Sequence, residues 1–142
     1  MKKIISIIMI AATVLFAGCG SGNTENATID IDLTEMSSTM IYSEVLNMMT
    51  TPDDYIGKTI KMAGNFSIYE DPESGNIYYA CVIQDATACC SQGIEFKLKG
   101  DYKYPDDYPE LGTEIAVTGV FHTYNEGEYT YCELENAEMT VV

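Results

Sequence analysis

The chain contains an alternating apolar and polar segment at residues 58–68, with the sequence KTIKMAGNFSI. Its apolar positions fall on every second residue, which is the period of a strand with one buried face. The apolar residues of this series are Ile60, Met62, Phe66 and Ile68. Gly64 interrupts the apolar side, and a glycine inside a strand pattern indicates a bend or a bulge. The segment therefore predicts a strongly curved strand of the kind that a small barrel needs.

Further segments on the C-terminal side have the same two-residue period. They are residues 77–83, 94–98, 115–121 and 129–134. Residues 100–112 form a long connection rich in Tyr, Pro and Asp, and residues 137–142 either extend the last strand or add a short one. Five strands with a long connection after the third are typical of an OB-like β-barrel, and an SH3-like barrel is the nearest alternative. The predicted fold class is therefore all-β, with a five-stranded OB-like barrel.

One short helix is predicted before the strands. Ser38 or Thr39 can cap it, and apolar residues then recur at spacings of three and four up to about Thr50. The apolar residues are Ile41, Tyr42, Val45, Leu46, Met48 and Met49. Together the helix and the barrel form one domain over residues 38–142, because this length supports one modest core and not two.

The N-terminus has the features of an export signal. Lys2 and Lys3 precede an apolar run at residues 4–16 that is short for a membrane-spanning helix, and small residues then lead to Cys19. This order resembles the lipobox of bacterial lipoproteins, in which the cysteine is lipidated and becomes the new N-terminus. An ordinary secretory signal or an uncleaved anchor is the alternative.

Residues 1–19 are therefore predicted to be a lipoprotein signal peptide and lipobox. Lipid chains on Cys19 would hold the protein on the extracytoplasmic face of the cell membrane, in the cell envelope. Residues 20–37 are mostly small and polar, which predicts a flexible tether between the anchor and the domain.

The charge of the chain is strongly acidic. Removal of Lys2 and Lys3 with the signal leaves five of the seven basic residues against 22 acidic ones, a formal charge of −17, and none of the basic residues is arginine. Such a surface repels the phosphates of nucleic acid. Excess acid is also a common means of keeping a protein soluble. The composition therefore excludes a nucleic-acid partner and leaves a protein, a sugar or a small molecule as the ligand.

Four segments of the chain resemble known folds or families. Residues 54–64, DYIGKTIKMAG, and residues 112–119, GTEIAVTG, resemble the first and fourth strands of many OB domains. Residues 42–139 resemble uncharacterised lipoproteins of Gram-positive bacteria. Residues 85–90, DATACC, resemble the Cys-Cys segment of an uncharacterised membrane-protein family encoded beside a putative permease. These resemblances imply a fold and a location more than a function.

The cysteines are candidate metal ligands. Cys89 and Cys90 are adjacent, and a vicinal pair rarely bridges itself because the ring strains the peptide bond. It can instead offer two thiolates to one soft metal, and three or four thiolates would suit zinc or copper(I). That set would add Cys132, and Cys81 with it where both side chains point to the same region. The alternative is structural, with Cys81 and Cys132 as buried fillers or one disulfide.

Tyrosine is frequent at the predicted strand ends and connections. Tyr78, Tyr129 and Tyr131 lie where OB domains usually bind ligands, and tyrosine rings suit stacking against sugars or contact with peptides. The alternative is a barrel exterior that is simply rich in tyrosine. A catalytic site is not indicated, because His122 is the only histidine and its strand pattern points it toward solvent.

The predicted function is that of a non-catalytic, membrane-anchored binding or accessory module with no certain cofactor. The alternative is a lipoprotein that binds zinc or copper through its thiolates. A thiol redox enzyme is disfavoured because the chain has no C-x-x-C motif.

Overall fold

The computed structural model describes residues 28–142, which are mostly β-sheet with one α-helix. The elements in chain order are β1 (Ile31–Asp32), α1 (Ser38–Thr50), β2 (Thr59–Glu70), β3 (Ile77–Gln84), β4 (Ser91–Leu98), β5 (Glu114–Glu126) and β6 (Tyr129–Val141). Short 3-10 helices lie at Leu33–Glu35 and Pro52–Asp54. The predicted signal peptide and Cys19 lie outside the described residues. Over residues 28–142, no helix combines the length and the apolar character needed to cross a membrane.

All six strands belong to one sheet, in the order β1-β2-β3-β4-β6-β5. The β1–β2 and β4–β6 pairs are parallel, and the other neighbours are antiparallel. β2 also pairs with β5, so it has β3 along its second half and β5 along its first half. Asn65 stands at the crossover, since it is paired with Val82 of β3 and with Glu114 of β5.

Two glycines allow the sheet to fold closely on itself. A Cβ atom at Gly64 would lie 2.5 Å from the carbonyl oxygen of Val82, and one at Gly119 would lie 2.9 Å from that of Glu135. Any larger residue at either position would force the neighbouring strand away. The predicted interruption of the first strand at Gly64 directly precedes Asn65, where the pairing partner of β2 changes.

The inward side chains of the strands form a core that is closed by α1. The largest fully buried side chains are those of Phe66, Phe96 and Phe121. Val45 and Met48 are the buried residues of α1, and its N-cap is Ser37 rather than Ser38 or Thr39, with no side-chain cap bond. Leu46 and Met49, which the helical pattern assigned to the apolar face, are exposed. The buried face of the helix is therefore narrower than predicted.

The five predicted strands correspond to β2–β6, and residues 137–141 continue β6 rather than forming a separate strand. β1 was not predicted. It lies in the range assigned to the tether, where Ile31 pairs with Ile60 and Leu33 is fully buried. The packed domain therefore begins at about Asp30, whose backbone N–H donates to the Thr59 carbonyl (2.8 Å), and not at Ser38.

Candidate functional site

A tyrosine-lined groove opens where β2 ends, β3 begins and the β5–β6 hairpin turns. Its volume is about 430 Å³, and we call it the tyrosine groove. It is lined by Tyr69, Asp71, Glu73, Tyr78, Glu126, Gly127, Glu128, Tyr129 and Tyr131. Strand pairing creates it, because Tyr69 stands opposite Tyr78 and Glu126 opposite Tyr129. The Tyr78 hydroxyl donates to Glu126 Oε1 (2.9 Å) and so links the two hairpins.

The aromatic rings of the groove are accessible. Tyr129 is 70% exposed, and Tyr69 and Tyr131 are exposed as well. The Tyr69 and Tyr78 rings are tilted at 35° with centroids 6.2 Å apart. Tyr131 stacks on Tyr124 with centroids 5.4 Å apart, which holds one of its ring faces in place. The groove therefore presents several ring faces to a ligand without any movement of the backbone.

The groove is also acidic. Four of its lining residues are carboxylates, and none of the described residues that line it is basic. The Ser74 hydroxyl donates to Asp71, and together with the Glu73 backbone N–H it lowers the pKa of that carboxyl. Asp71 therefore carries its charge at neutral pH. Tyrosine faces beside carboxylates attract cations and repel anionic ligands.

The predicted ligand-contacting residues Tyr78, Tyr129 and Tyr131 all line this groove. Other tyrosines serve packing instead. The Tyr79 and Tyr108 rings stack with centroids 4.2 Å apart, and both pack against the core. The tyrosines of the sequence therefore include two sets, one that lines the groove and one that packs against the core.

A second group of chemically active side chains occupies the turn between β3 and β4. We call Asp85, Cys89 and Cys90 the cysteine turn, since each offers a ligand atom within 4.8 Å of the others. The Cys89 thiol donates to Asp85 Oδ2 (3.2 Å), and the two sulfurs are 3.5 Å apart. Backbone N–H groups of Thr87 and Cys89 donate to Asp85 Oδ1, at 3.2 and 2.9 Å. Asp85 thus organises the turn, and sequence reasoning missed it although it begins the DATACC segment.

Hydrogen bonds within the cysteine turn change its acidity. The bond from the Cys89 thiol is the main cause that lowers the pKa of Asp85, with the Thr87 hydroxyl and backbone bonds adding to it. The contact with Cys89 is likewise the main cause that raises the pKa of the Cys90 thiol, and the charge of Asp85 adds to it. At neutral pH Asp85 is therefore ionised and Cys90 is a thiol.

The other two predicted thiol ligands lie elsewhere. Cys81 is fully buried in β3, and burial raises the pKa of its thiol to about 12. Cys132 is half-buried, and its Sγ lies 3.8 Å from the carbonyl oxygen of Met48. Burial raises the pKa of the Cys132 thiol, with a further contribution from the charge of Glu95. Within residues 28–142 all four thiols are free, and neither Cys81 nor Cys132 joins the ligand group of the cysteine turn.

His122 lies on β5, where its side chain is 46% exposed. Its neighbours are Glu133 and Glu135 of β6, with Nδ1 at 3.7 and 3.9 Å from their Oε1 atoms. It is not part of the ligand group around the two vicinal cysteines in the described chain. The arrangement therefore offers no Cys-His pair at the cysteine turn.

No protein-family model matches the chain, and no curated protein is significantly similar to it. The resemblance to Gram-positive lipoproteins therefore stays a prediction.

Proposed function

We propose that the protein is a non-catalytic binding module whose tyrosine groove holds a positively charged peptide segment of a protein partner. The observation that carries this proposal is the lining of the groove, which contains four tyrosines and four carboxylates. Lysine and arginine side chains bind such surfaces in two ways, by ion pairing and by contact of the cation with a ring face. A nucleic acid or an acidic ligand would be repelled.

The protein itself contains the type of contact that the proposal requires. Lys97 Nζ lies 5.1 Å from the centroid of the Tyr124 ring, and Tyr124 stacks on Tyr131 of the groove. Lys58 Nζ lies 5.2 Å from the centroid of Tyr55 in the same manner. A lysine of a partner placed over Tyr129 or Tyr69 would repeat this geometry on rings that are free to accept it.

The proposed scaffold is an OB-like barrel. Its support is the circuit of pairings in which β2 contacts both β3 and β5, while β4 and β6 are parallel. In barrels of this type, the strand 2–3 face and the neighbouring loops form the ligand surface. The five strands of such a barrel correspond to β2–β6, so Tyr78 lies on its second strand. Asp71 and Glu73 lie in the loop between its first and second strands, and Gly127 and Glu128 lie in the loop between its fourth and fifth strands.

The proposed location is the extracytoplasmic face of the cell membrane, with Cys19 carrying the lipid. Support comes from the charged start at Lys2 and Lys3, the apolar run at residues 4–16 and the small residues before Cys19. Cells fed an alkyne-labelled fatty acid should incorporate it into the wild-type protein and not into the Cys19→Ser variant. Equal incorporation in both proteins would refute lipidation at this residue.

The groove is tested by titrating fluorescent peptides into the full chain held in detergent. A peptide rich in lysine and arginine should raise fluorescence anisotropy, whereas a glutamate-rich peptide and a neutral oligosaccharide should not. Tyr129→Ala and Glu128→Gln should each weaken binding about threefold to tenfold, because each removes one contact of about 1 kcal/mol. Binding should also fall as salt rises.

The matched control for the groove is Tyr102→Ala, which removes an exposed tyrosine outside the lining residues. Its affinity for the basic peptide should equal that of the wild type. Equal loss in Tyr102→Ala and Tyr129→Ala would mean that the peptide binds the acidic surface without using the groove. If only the oligosaccharide binds, the ligand is a sugar and not a basic peptide.

A second candidate function is thiolate metal binding at the cysteine turn, which the 3.5 Å approach of the two sulfurs favours. Asp85 would supply the third ligand that Cys132 and Cys81 do not. Two thiolates and a carboxylate suit zinc, whereas copper(I) prefers ligands that are all sulfur. One equivalent of metal that disappears in the Cys89→Ser, Cys90→Ser double variant would establish this function. Metal retained by that variant would refute it.

A further inference from the structure

The outer face of β5 and β6 carries a second group of close potential metal-ligand atoms. His122, Glu133 and Glu135 each offer one atom within 4.8 Å of the others, and we call them the sheet cluster. Strand register builds it, because His122 is paired directly with Glu133. Glu135 follows two residues later on β6 and so returns to the same face of the sheet.

Glu133 is unusual because it is only 1% exposed although it lies on the outer face of the sheet. A carboxylate removed from water needs a cation or hydrogen-bond donors. Lys97 supplies the cation, with its Nζ 2.9 Å from Glu133 Oε2 and 3.1 Å from Oε1. The Lys97 contact with Oε1 is a hydrogen bond, and its contact with Oε2 is an ion pair. Within residues 28–142, no hydrogen bond is made to the buried Oε2 or to the buried His122 Nδ1.

The surroundings of Glu133 contain more negative than positive charge. Glu95 is its direct neighbour on β4, and Glu135 lies beside it on β6. The Tyr124 hydroxyl donates to Glu95 Oε2 (2.7 Å), which satisfies that carboxylate without changing the charge balance. Lys97 is therefore one positive charge facing three carboxylates, and its own side chain is 64% exposed.

We infer that the sheet cluster is a divalent-cation site of the zinc type, with His122, Glu133 and Glu135 as its protein ligands. Zinc bonds to imidazole nitrogen and carboxylate oxygen are about 2.0–2.2 Å long, which places neighbouring ligand atoms of a tetrahedron about 3.4 Å apart. His122 Nδ1 lies 3.7 Å from Glu133 Oε1 and 3.9 Å from Glu135 Oε1. These two distances exceed the tetrahedral spacing by about 0.3 and 0.5 Å, and the Glu133 and Glu135 ligand atoms lie within 4.8 Å of each other.

Lys97 is the competitor of the metal. Its ammonium group occupies the position beside Glu133 that a cation would take, and its exposed side chain can swing into solvent when a divalent ion binds. The site is separate from the cysteine turn in the described chain, since the two ligand groups share no residue. This inference does not depend on the tyrosine groove.

The test is calorimetric titration of zinc chloride into the full chain in detergent, in a background of Cys19→Ser, Cys89→Ser and Cys90→Ser that removes the thiols most able to bind zinc. One zinc ion per chain is expected. Glu135→Gln should weaken binding at least about tenfold, because an amide is a poor zinc ligand. Lys97→Met should instead strengthen it several-fold, because the competing charge is gone.

The matched control is Glu138→Gln, an exposed carboxylate on the same strand that is outside the sheet cluster. Its zinc affinity should equal that of the background protein. Circular dichroism and the urea midpoint of each variant establish that it is folded. Equal losses in Glu135→Gln and Glu138→Gln, or no binding in the background protein, would overturn the site.

A spectroscopic measurement identifies the ligands independently. Because His122 is the only histidine, its imidazole resonances form one resolved set, and one equivalent of zinc should shift them. Cobalt bound at the same position should absorb without a thiolate charge-transfer band. Zinc binding that leaves the His122 resonances unchanged would refute this ligand set, as would weaker binding in Lys97→Met.

Discussion

The cysteine turn and the sheet cluster each bring three potential metal ligands within 4.8 Å, but they are built in different ways. The cysteine turn comes from six neighbouring residues, and its carboxylate accepts hydrogen bonds from the adjacent backbone. The sheet cluster comes from two strands, and its central carboxylate is 1% exposed. Local hydrogen bonding satisfies the first group, whereas the second depends on a cation brought by β4.

This difference predicts where the loss of a charged partner reduces the stability of the fold. Removing one hydrogen-bond donor from a carboxylate that contacts water costs little stability, because water takes the place of the donor. A buried carboxylate that loses its cation keeps its desolvation cost. Changes in the sheet cluster should therefore alter stability, and changes in the cysteine turn should mainly alter reactivity.

The largest effect is expected for Gly119→Ala. The new Cβ would lie 2.9 Å from the backbone oxygen of Glu135 and 3.0 Å from the Leu134 side chain, so β6 must move at the sheet cluster. We expect a loss of about 2–3 kcal/mol in the free energy of unfolding. Urea denaturation followed by circular dichroism measures it, and the labelling rates of Cys89 and Cys90 in the native protein should stay unchanged.

Gly93→Ala is the matched variant on the side of the cysteine turn. Its nearest neighbour would be a Val82 methyl group at 3.1 Å, which can shift more easily than a backbone oxygen. The loss of stability should be smaller than for Gly119→Ala. An equal or larger loss would show that the two regions are equally constrained, contrary to the comparison.

The next effect is that of Lys97→Ala, which leaves Glu133 buried without its lysine. Loss of one partner of a buried pair costs about 3–5 kcal/mol, and we expect about 1–2 kcal/mol here because Lys97 is largely exposed. Urea denaturation measures it. Lys99→Ala removes an exposed lysine two residues away on the chain and should cost less than about 0.5 kcal/mol. Equal stability of the two variants would mean that Glu133 does not rely on Lys97.

Asp85→Asn should have a smaller effect, and one that depends on pH. Native hydrogen bonds, first that of the Cys89 thiol, lower the pKa of Asp85, so its charged form stabilises the fold above the ordinary Asp pKa of about 3.9. That contribution is lost as pH falls through the lowered native pKa. The urea midpoints of wild type and variant should therefore differ slightly at pH 7 and converge in strong acid. A difference that grows toward low pH would contradict this account.

The smallest change in stability is expected for the Cys89→Ser, Cys90→Ser double variant, because both side chains are exposed. Its urea midpoint should match that of the wild type. Alkylation should differ sharply, since the variant loses the two thiols expected to react fastest while Cys81 reacts only on unfolding. Because the pKa of Cys90 is raised, its alkylation rate should continue to increase with pH above about 8.5, the ordinary pKa of a cysteine thiol. Fast labelling of Cys81 in the folded wild type would refute the buried assignment.

Much of the fold was readable from local patterns. The two-residue period predicted β2 to β6, and the three- and four-residue spacing predicted α1 to within a residue. β1 was missed because a two-residue strand in a polar segment has no period to detect, and only its pairing with β2 orders it. The breadth of the helical face was also overestimated, since the helix contacts the sheet only through a narrow stripe that includes Val45 and Met48.

The candidate surfaces were readable to different degrees. Tyr78, Tyr129 and Tyr131 were predicted as a surface, and they line one groove with Tyr69. The structure does not bring the four predicted thiol ligands together in the described chain. Strand alternation predicts that Cys81 is buried, but it does not predict how far Cys81 lies from Cys89 and Cys90. His122 was correctly judged to face outward, but its carboxylate neighbours were not foreseen.

The sequence by itself determined five of the six strands, the helix, the acidic charge and the vicinal cysteine pair, because these depend on composition or on residues close together along the chain. Only the tertiary structure decided which distant residues meet. Strand pairing put Glu133 opposite His122 and beside Glu95, and joined Tyr78 to Glu126 across two hairpins. The physical reason is that a strand presents its side chains with a fixed period, whereas its partner and register are set by the packing of the whole sheet.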